Sequence, residues 1–283
     1  MLLARVSEAG TEILVVIDAG RVYDLRSLMR DIDPDFFEVG GFALIDSALA
    51  AGELPLLDGA DIRTLRYQAP LTRPRALVCV GMNYAAHAAE SGSMPPTDLV
   101  VFFKHPNTIV GPNATIKIPP GSVSTDWEVE LAIVIGKRAS YLDSPDEALG
   151  HIAGYTLSND VSERDYQLKV SGGQWSKGKC CETFNPMGPW IVRACELDPD
   201  AGLVLQSWVN GEPRQHSTTA DMIFGVGAIV QQLSQFMVLE PGDVINTGTP
   251  EGVALSGRFP YLQEGDVVEC AIEGLGAQKQ VVA

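Results

Sequence analysis

The chain has 283 residues, 46% of them hydrophobic and 20% charged, which is enough for one large domain with a smaller one beside it. Its net charge of −16 argues against nucleic acid or an anionic membrane surface as the main partner, because both attract basic proteins. The five cysteines form no Cys-x-x-Cys pair, which argues against a disulfide framework or a structural zinc site and favours a cytoplasmic protein.

The first 70 residues are predicted to form a small β-rich domain. Two apolar strands, at 13–17 and 21–25, are joined by a tight turn, and a helix at 42–51 is expected to end at Gly52. No chemistry stands out in this domain, so a functional site is expected elsewhere.

A proline-containing connection at 69–74 leads to a larger predicted domain, residues 71–283. This domain opens with a buried-type strand at 76–80. A helical stripe of apolar residues within 222–239 predicts an amphipathic helix that ends at 240–243. Because glutamines and a serine interrupt the stripe, it does not predict a transmembrane span, and no membrane partner is expected.

Three acidic side chains are candidates for a shared metal ion. Glu128 and Glu130 are two apart on a predicted strand, so both project from one face just before the apolar run 131–135, where unpaired charge is costly. Asp160 follows a second predicted strand, 152–158, and offers a third carboxylate. Three carboxylates suit Mg²⁺ or Mn²⁺, or Ca²⁺ if further oxygens join. The alternative is that the glutamate pair faces solvent on an edge strand.

His87 and Glu90 lie three residues apart in an alanine-rich segment that Asn83 is predicted to cap as a helix. A carboxylate on the same helical face can orient an imidazole, which is how a general base that activates water is commonly built. A solvated pair on a short helix is the alternative.

A second group of polar residues follows the third carboxylate. Ser162 and Asp165 predict a capping box that starts a short helix, which would place Arg164 and Gln167 near the metal. A guanidinium can bind a carboxylate through two hydrogen bonds, although a structural ion pair is the alternative. Lys179 lies close to glycines and an aromatic residue and is a candidate for stabilising negative charge, whereas most lysines are exposed and inert.

The last third of the chain contains two turn signals. Asn210-Gly211 predicts a hairpin after an apolar strand. Residues 246–252 form a Gly/Thr-rich turn that either presents N–H groups and hydroxyls to a carboxylate or is simply a turn. The Gly-Lys-Ser/Thr signature of a P-loop is absent, which argues against nucleotide binding.

Taken together, these segments resemble the fumarylacetoacetate hydrolase family over about residues 74–283. The matching segments, in chain order, are Val80-Gly81-Met82-Asn83-Tyr84 with His87 and Glu90, Asp126-Trp127-Glu128-Val129-Glu130-Leu131, Gly154-Tyr155 through Asn159-Asp160-Val161-Ser162 with Arg164 and Gln167, Lys179, Pro186-Met187-Gly188-Pro189-Trp190, Val209-Asn210-Gly211, Leu239-Glu240-Pro241-Gly242-Asp243-Val244-Ile245, and Thr247-Gly248-Thr249-Pro250.

The resemblance implies a fold and a set of roles. The fold is α+β and β-dominated, with a rolled mixed β-sandwich catalytic domain of the family's C-terminal type beside the small N-terminal domain, and the protein is expected to be a homodimer. The implied metal ligands are Glu128, Glu130 and Asp160. The implied catalytic residues are the water-activating dyad His87 and Glu90, with Lys179 at the developing oxyanion. The implied contacts to the substrate's carboxylate end are Arg164, Gln167 and Thr249.

The implied function is metal-dependent cleavage of a carbon–carbon bond in a 2,4-dioxo acid, an acylpyruvate, with release of pyruvate or a related 2-oxo acid. His87 would take a proton from the water that attacks C4, and Lys179 would steady the resulting oxyanion. Residues 125–130, 172–179 and 274–278 look most like those of bacterial enzymes that act on 2,4-dioxo sugar acids. Cys180-Cys181-Glu182-Thr183 departs from the Gly- or Ser-containing version expected there, which leaves the distal group of the substrate open.

Three alternatives remain open at this point. The same metal site would serve a decarboxylase of oxaloacetate or an isomerase of hydroxy-dienoates such as 2-hydroxyhepta-2,4-diene-1,7-dioate. The decarboxylase needs no attacking water, so it should tolerate loss of His87 better than a hydrolase. The third alternative is a metal-binding protein without activity, for which loss of the dyad or of Lys179 would be the distinguishing feature.

Overall fold

The computed structural model describes residues 1–8, 10–72, 74–90, 92 and 94–283. The strands of these ranges are β1 Leu2–Glu8, β2 Thr11–Asp18, β3 Arg21–Asp24, β4 Arg66–Tyr67, β5 Leu77–Gly81, β6 Val100–Lys104, β7 Ile109–Val110, β8 Thr125–Asp126, β9 Val129–Ile135, β10 Ile152–Asn159, β11 Ser162–Glu163, β12 Asn185–Pro186, β13 Trp190–Arg193, β14 Val204–Val209, β15 Glu212–Thr218, β16 Val244–Asn246, β17 Val267–Ile272 and β18 Gly276–Val281. The helices are α1 Pro34–Glu38, α2 Gly41–Ala51, α3 Ala85–Glu90, α4 Pro145–Leu149, α5 Ser176–Lys179 and α6 Val226–Leu233, with a π-helical turn at Asp165–Lys169. Short 3₁₀ turns occur at Pro106–Thr108, Ala194–Glu196, Pro199–Ala201, Thr219–Asp221 and Ala254–Ser256.

The main sheet has the strand order β3-β2-β1-β13-β10-β9-β16-β5-β6, with β4 paired to β1. Strand β9 lies inside this sheet between β10 and β16, and all seven of its residues are buried. Such a run of aliphatic side chains is typical of a strand that is covered on both faces. The acidic residues at the start of β9 therefore enter the protein interior rather than an edge.

The two faces of β9 pack into different cores. Leu131 and Ile133 belong to a core shared with the second sheet, whose order is β15-β14-β17-β18, and with helix α6. Ala132 and Val134 belong to a core shared with β1, β2, α1 and α2. Since alternate strand residues share a face, Glu128 and Glu130 lie on the same face as Ala132 and Val134.

The mixed, strand-dominated fold class predicted from the sequence is confirmed. The helix expected at 42–51 is α2, and Gly52 ends it in the left-handed conformation at φ 68°. The hairpin at Asn210-Gly211 joins β14 to β15. Strands β1–β3 continue the main sheet through the pairing of β1 with β13, so the division into 1–70 and 71–283 stays a prediction. Arg73, in the predicted connection, lies outside the described residues.

The predicted extent of the amphipathic helix was wrong. Helix α6 ends at Leu233, well short of 240. The Ser234 hydroxyl donates to the carbonyl of Gln231 at 2.7 Å, and the next residues turn back on the helix. A serine that bonds its own backbone in this way competes with helix propagation. Among the described residues, no helix combines the length and apolar character needed to cross a membrane.

We predict that Gly154→Ala destabilises the main sheet. A Cβ at Gly154 would lie 2.3 Å from the carbonyl oxygen of Val192 on β13, and neither backbone can move without breaking the β10–β13 pairing. The free energy of unfolding, measured by urea denaturation, should fall by ~1–3 kcal/mol. Gly225→Ala is the control, because its φ is −68° and the nearest atom lies 3.4 Å from its added Cβ. Equal losses in both variants would contradict the prediction.

Candidate active site

The three predicted metal ligands meet at one end of β9 and β10. Glu130 lies in β9 opposite Ser158 of β10, and Asp160 follows the last residue of β10. The backbone N–H of Asp160 donates to the carbonyl oxygen of Glu128 at 2.9 Å, which holds the two chain segments together. Carboxylate oxygens of all three residues lie within 4.8 Å of one another, and all three side chains are buried. The antiparallel register therefore builds the acidic triad.

Two buried lysines reach into this triad. The Nζ atom of Lys179 lies 2.7 Å from Glu128 Oε2 and 2.8 Å from Asp160 Oδ2. The Nζ atom of Lys104, at the end of β6, pairs with the other oxygen of Asp160 and also donates to the carbonyl of Phe184. Although burial lowers the pKa of Lys179, the carboxylates of Asp160 and Glu128 raise it above its usual value, so this lysine stays protonated.

Arg164 lies at the site, as predicted, and it also forms an ion pair with Asp126. Its guanidinium donates from Nε to Asp126 Oδ2 at 2.8 Å, and its Nη2 lies 2.7 Å from Glu128 Oε1. Its Nη1 donates to Gln167 Oε1 at 2.9 Å. The predicted capping box is wrong, because the Ser162 hydroxyl donates to the carbonyl of Asp160 and the helical turn starts at Asp165.

Glu130 differs from the other acids because, among the described residues, no cation pairs with it. Its Oε2 accepts a hydrogen bond of 2.9 Å from the backbone N–H of Gly248. Burial and the charges of Asp160 and Glu128 hold the pKa of Glu130 well above its usual value. The cluster brings together four buried carboxylates and three buried cations, namely Asp126, Glu128, Glu130 and Asp160 with Lys104, Arg164 and Lys179.

This charge arrangement fits a divalent cation. The acid without a partner lies beside two others, all three offer oxygen atoms, and oxygen ligands are what Mg²⁺, Mn²⁺ and Ca²⁺ prefer. A cation bound by Glu128, Glu130 and Asp160 would also compensate the fourth carboxylate, because the described side chains of the cluster supply three positive charges for four acids.

The turn that carries Gly248 packs closely against the loop that follows β5 and contains Asn83. Gly248 has φ 98°, and a Cβ there would lie 2.9 Å from the Cβ of Asn83. Asn83 does not cap α3 as predicted. Its amide nitrogen donates to the carbonyls of Thr247 and Phe224, and its amide oxygen accepts from the N–H of Phe224, so it ties this turn to the start of α6.

The predicted dyad lies at the same cavity. His87 is 7% exposed, and its Nδ1 lies 3.8 Å from Glu90 Oε2, which is an ion-pair distance rather than a hydrogen bond. Glu90 is fixed by the N–H of Gly252 at 3.0 Å and by Arg258 Nη1 at 3.1 Å. Burial raises the pKa of Glu90, but its contacts with His87, Gly252 and Arg258 outweigh this and lower it, so the carboxylate is ionised.

The hydroxyl of Thr249 already makes two hydrogen bonds within the protein, which the sequence did not indicate. Its hydroxyl donates to the carbonyl of Val129 at 2.9 Å and accepts from Gln215 Nε2 at 2.7 Å. These bonds fix the turn against the start of β9. A contact of Thr249 with the substrate's carboxylate stays a prediction.

One cavity of about 590 Å³ gathers the predicted site residues. Its lining includes His87, Glu90, Glu128, Glu130, Arg164, Gln167, Lys179 and Thr249. Asp160 is placed behind them, bound to the two lysines. A larger cavity of about 940 Å³, beside α2 and residues 193–200, holds none of the nine predicted residues. The predicted site residues therefore converge on the smaller cavity.

Sequence reasoning missed three residues of this site. Lys104 is a charged residue at the end of an apolar strand, and that position was its only local signal. Asp126 accepts hydrogen bonds from the backbone N–H groups of Ala254 and Leu255 in addition to Arg164. Arg258 reaches Glu90 from a distant loop, and no local pattern marks it.

A buried acidic triad beside a histidine–glutamate pair and a protonated lysine is typical of an enzyme site. The family model for the fumarylacetoacetate (FAA) hydrolase C-terminal domain matches residues 76–283. The chain belongs to the fumarylacetoacetate hydrolase family, which confirms the resemblance.

Three relatives show the range of proteins to which the chain is similar. A mitochondrial oxaloacetate tautomerase from Bos taurus is 44% identical over 265 residues, covering 92% of this chain and 83% of that protein. The structure of 2-hydroxyhepta-2,4-diene-1,7-dioate isomerase from Mycobacterium marinum is 36% identical with a TM-score of 0.75, covering 100% and 98% of the two chains. The structure of maleylpyruvate hydrolase from Sphingobium sp. SYK-6, in complex with manganese(II) and pyruvate, is 26% identical with a TM-score of 0.78, covering 100% and 99%.

We predict that Lys104→Met destabilises the protein strongly. The change removes the hydrogen bonds that Lys104 donates to Asp160 and to the Phe184 carbonyl, so that Lys179 is left as the cationic partner that the structure describes for Asp160. Breaking a buried ion pair from one side costs ~3–5 kcal/mol, so the free energy of unfolding in urea should fall by about that much. Lys117→Met removes an ion pair with Glu182 whose partners are 55% and 70% exposed, and it should cost less than ~1 kcal/mol. A Lys104→Met protein as stable as the Lys117→Met control would refute the role of Lys104.

Proposed function

We propose that the protein is a divalent-metal-dependent hydrolase that cleaves the C3–C4 bond of 2,4-dioxo acids. The observation that carries the proposal is Glu130, a buried carboxylate without a described cationic partner, in the same cavity as His87 and Glu90. The manganese and pyruvate in the structure of the maleylpyruvate hydrolase support it.

Glu128, Glu130 and Asp160 would hold the ion, either Mg²⁺ or Mn²⁺. When bound, such an ion supplies Lewis-acid chemistry and a template for the oxygens of a 2-oxo acid. Every other part of the reaction falls to side chains of this chain.

His87 is the proposed general base. Its imidazole takes a proton from water, whose oxygen then adds to C4, and the ionised Glu90 stabilises the imidazolium that results. The distance of 3.8 Å between His87 Nδ1 and Glu90 Oε2 must shorten for a direct hydrogen bond, as is common between free and substrate-bound enzymes.

Lys179 is the proposed oxyanion donor. Because its carboxylate neighbours keep it protonated, it can donate hydrogen bonds to the oxygen on C4 but cannot serve as a base. When the C3–C4 bond breaks, C4 leaves as a carboxylic acid and the electron pair of the bond moves to C3. The resulting enolate of the 2-oxo acid then takes at C3 the proton that His87 removed from water.

A keto–enol tautomerase or double-bond isomerase of 2-oxo acids is the second candidate. The 44% identity to the oxaloacetate tautomerase and the 36% identity to the dienedioate isomerase favour it. Such a reaction also passes through an enolate at C3, but it needs no water attack at C4.

The decarboxylase of oxaloacetate differs from both by releasing carbon dioxide. The homodimer stays a prediction of the family resemblance.

Removal of the Glu130 carboxylate should weaken metal binding. Titration calorimetry of the metal-free protein with Mn²⁺ should show one site per chain in the wild type. In Glu130→Gln the affinity for Mn²⁺ should fall by at least about tenfold. Mutation of residues that only hydrogen-bond to a metal ligand already lowers affinity by that much, and Glu130 is a proposed ligand itself. Asp243→Asn, a buried acid that binds backbone N–H groups far from the triad, should leave the affinity unchanged. Unaltered affinity in Glu130→Gln would mean that the ion binds elsewhere.

His87→Ala should reduce hydrolysis of acetylpyruvate. The expected loss in kcat is about 100-fold or more, the usual contribution of a general base, measured as pyruvate release with Mg²⁺ or Mn²⁺ present. His216→Ala is the matched control, because His216 is exposed on β15.

Oxaloacetate, assayed in parallel, separates the candidates. Interconversion of its keto and enol forms without any cleavage of acetylpyruvate would favour the tautomerase. Release of carbon dioxide that survives His87→Ala would identify a decarboxylase. If the metal binds but neither acid reacts, the acylpyruvate hydrolase proposal is wrong.

A further inference from the structure

The wall of the cavity next to Lys179 is aromatic. The Nζ atom of Lys179 lies 5.1 Å from the ring centroid of Phe102, and the ring of Trp175 packs edge-on against Phe102 at 5.6 Å. Trp175 is also packed against the backbone of Gly81, where an added Cβ would lie 2.5 Å from the indole ring. Both aromatic side chains line the cavity and are fixed by these contacts.

The remaining wall outside the polar cluster is apolar as well. Its lining side chains include Met82, Val100, Leu168 and Leu255. Leu168 is 43% exposed, so this wall reaches the cavity mouth. A group that extends from the polar cluster toward solvent therefore passes along hydrophobic surface.

The described cations near this wall already have carboxylate partners. Arg164 and Lys179 are the arginine and the lysine in the described lining. Arg164 pairs with Asp126 and Glu128. Lys179 pairs with Glu128 and Asp160. A further negative charge would instead meet the ionised Glu90, which also lines the cavity. A second carboxylate on the substrate would thus lose its hydration without gaining an ion pair.

From these contacts we infer that the group on C4 of the substrate is uncharged and apolar, an alkyl or aryl chain. The inference rests on the proposed function, in which Lys179 binds the oxygen on C4. The substituent of C4 must then lie next to Lys179, where Phe102 and Trp175 form the wall. A carboxylate-terminated or polyhydroxylated chain fits this wall poorly, including the sugar-acid chain that the sequence suggested.

Matched substrates test the inference. The value of kcat/KM should rise about fourfold for each methylene from 2,4-dioxopentanoate to 2,4-dioxohexanoate and 2,4-dioxoheptanoate, as expected when a methylene is buried. 2,4-Dioxoheptanoate should exceed 2,4-dioxoheptanedioate, its carboxylate-terminated analogue, by at least about tenfold. 2,4-Dioxohexanoate should likewise exceed 5-hydroxy-2,4-dioxohexanoate.

Variants of the wall locate the effect. Leu168→Lys should lower the preference for 2,4-dioxoheptanoate over the dioate by about threefold to fivefold, the size of a partly exposed ion pair, whereas Leu168→Met should not. Trp175→Ala should raise KM more for 2,4-dioxoheptanoate than for 2,4-dioxopentanoate, and Trp175→Phe should retain most of the preference. Trp208→Ala, on the second sheet, is the control for loss of a tryptophan.

The outcomes are distinct for the two proposals. If the dioate or the hydroxylated acid is the better substrate, the apolar C4 group is wrong and the hydrolase stands. If wall variants change all substrates equally, the wall does not select the C4 group. If none of the dioxo acids is cleaved, the proposed function fails and this inference fails with it.

Discussion

Burial of several carboxylates side by side is the constraint on which the rest of the site depends. Charged groups inside a protein are costly unless cations or hydrogen bonds compensate them. Here Lys104, Lys179 and Arg164 neutralise Asp160, Glu128 and Asp126, and each comes from a different part of the chain. Glu130 is left with a backbone N–H group, which is why the site is suited to a divalent cation.

The same constraint links the acidic triad to the dyad. Asp126 accepts hydrogen bonds from Arg164 and from the N–H groups of Ala254 and Leu255. Residues on either side of that pair, Gly252 and Arg258, hold Glu90. One loop therefore sets the position of the dyad carboxylate relative to the acids. Contacts with this loop fix the proposed base and the proposed metal ligands relative to one another, although these residues lie far apart in sequence.

The compensation also explains why the cavity has two chemical halves. All of the buried cations in the cluster are engaged by its own acids, so none is left to attract charge at the cavity mouth. Beyond Lys179 the lining changes to Phe102, Trp175 and aliphatic side chains. The polar half is formed by Glu128, Glu130, Arg164 and Lys179, and the apolar half is where we place the proposed C4 group of the substrate.

The local sequence determined much of this protein. The acidic pair before an aliphatic run predicted buried carboxylates at the start of a strand, and both are buried, Glu130 as the second residue of β9 and Glu128 directly before it. Gly52 and Asn210-Gly211 predicted chain reversals correctly, because glycine and asparagine adopt the left-handed conformation with little strain. The motif residues identified the family, since several of them occur in order along the chain.

Tertiary structure alone decided the partners. Lys104 pairs with Asp160 across 56 positions of sequence, Arg258 reaches Glu90 across 168, and no local pattern indicates either contact. The Thr249 hydroxyl is bound internally, and Glu130 lacks a cation among the described residues, and both facts depend on which distant groups pack nearby. Sequence periodicity reports which face of a strand is buried. Compensation of a buried charge depends on three-dimensional distance, which only the folded chain defines.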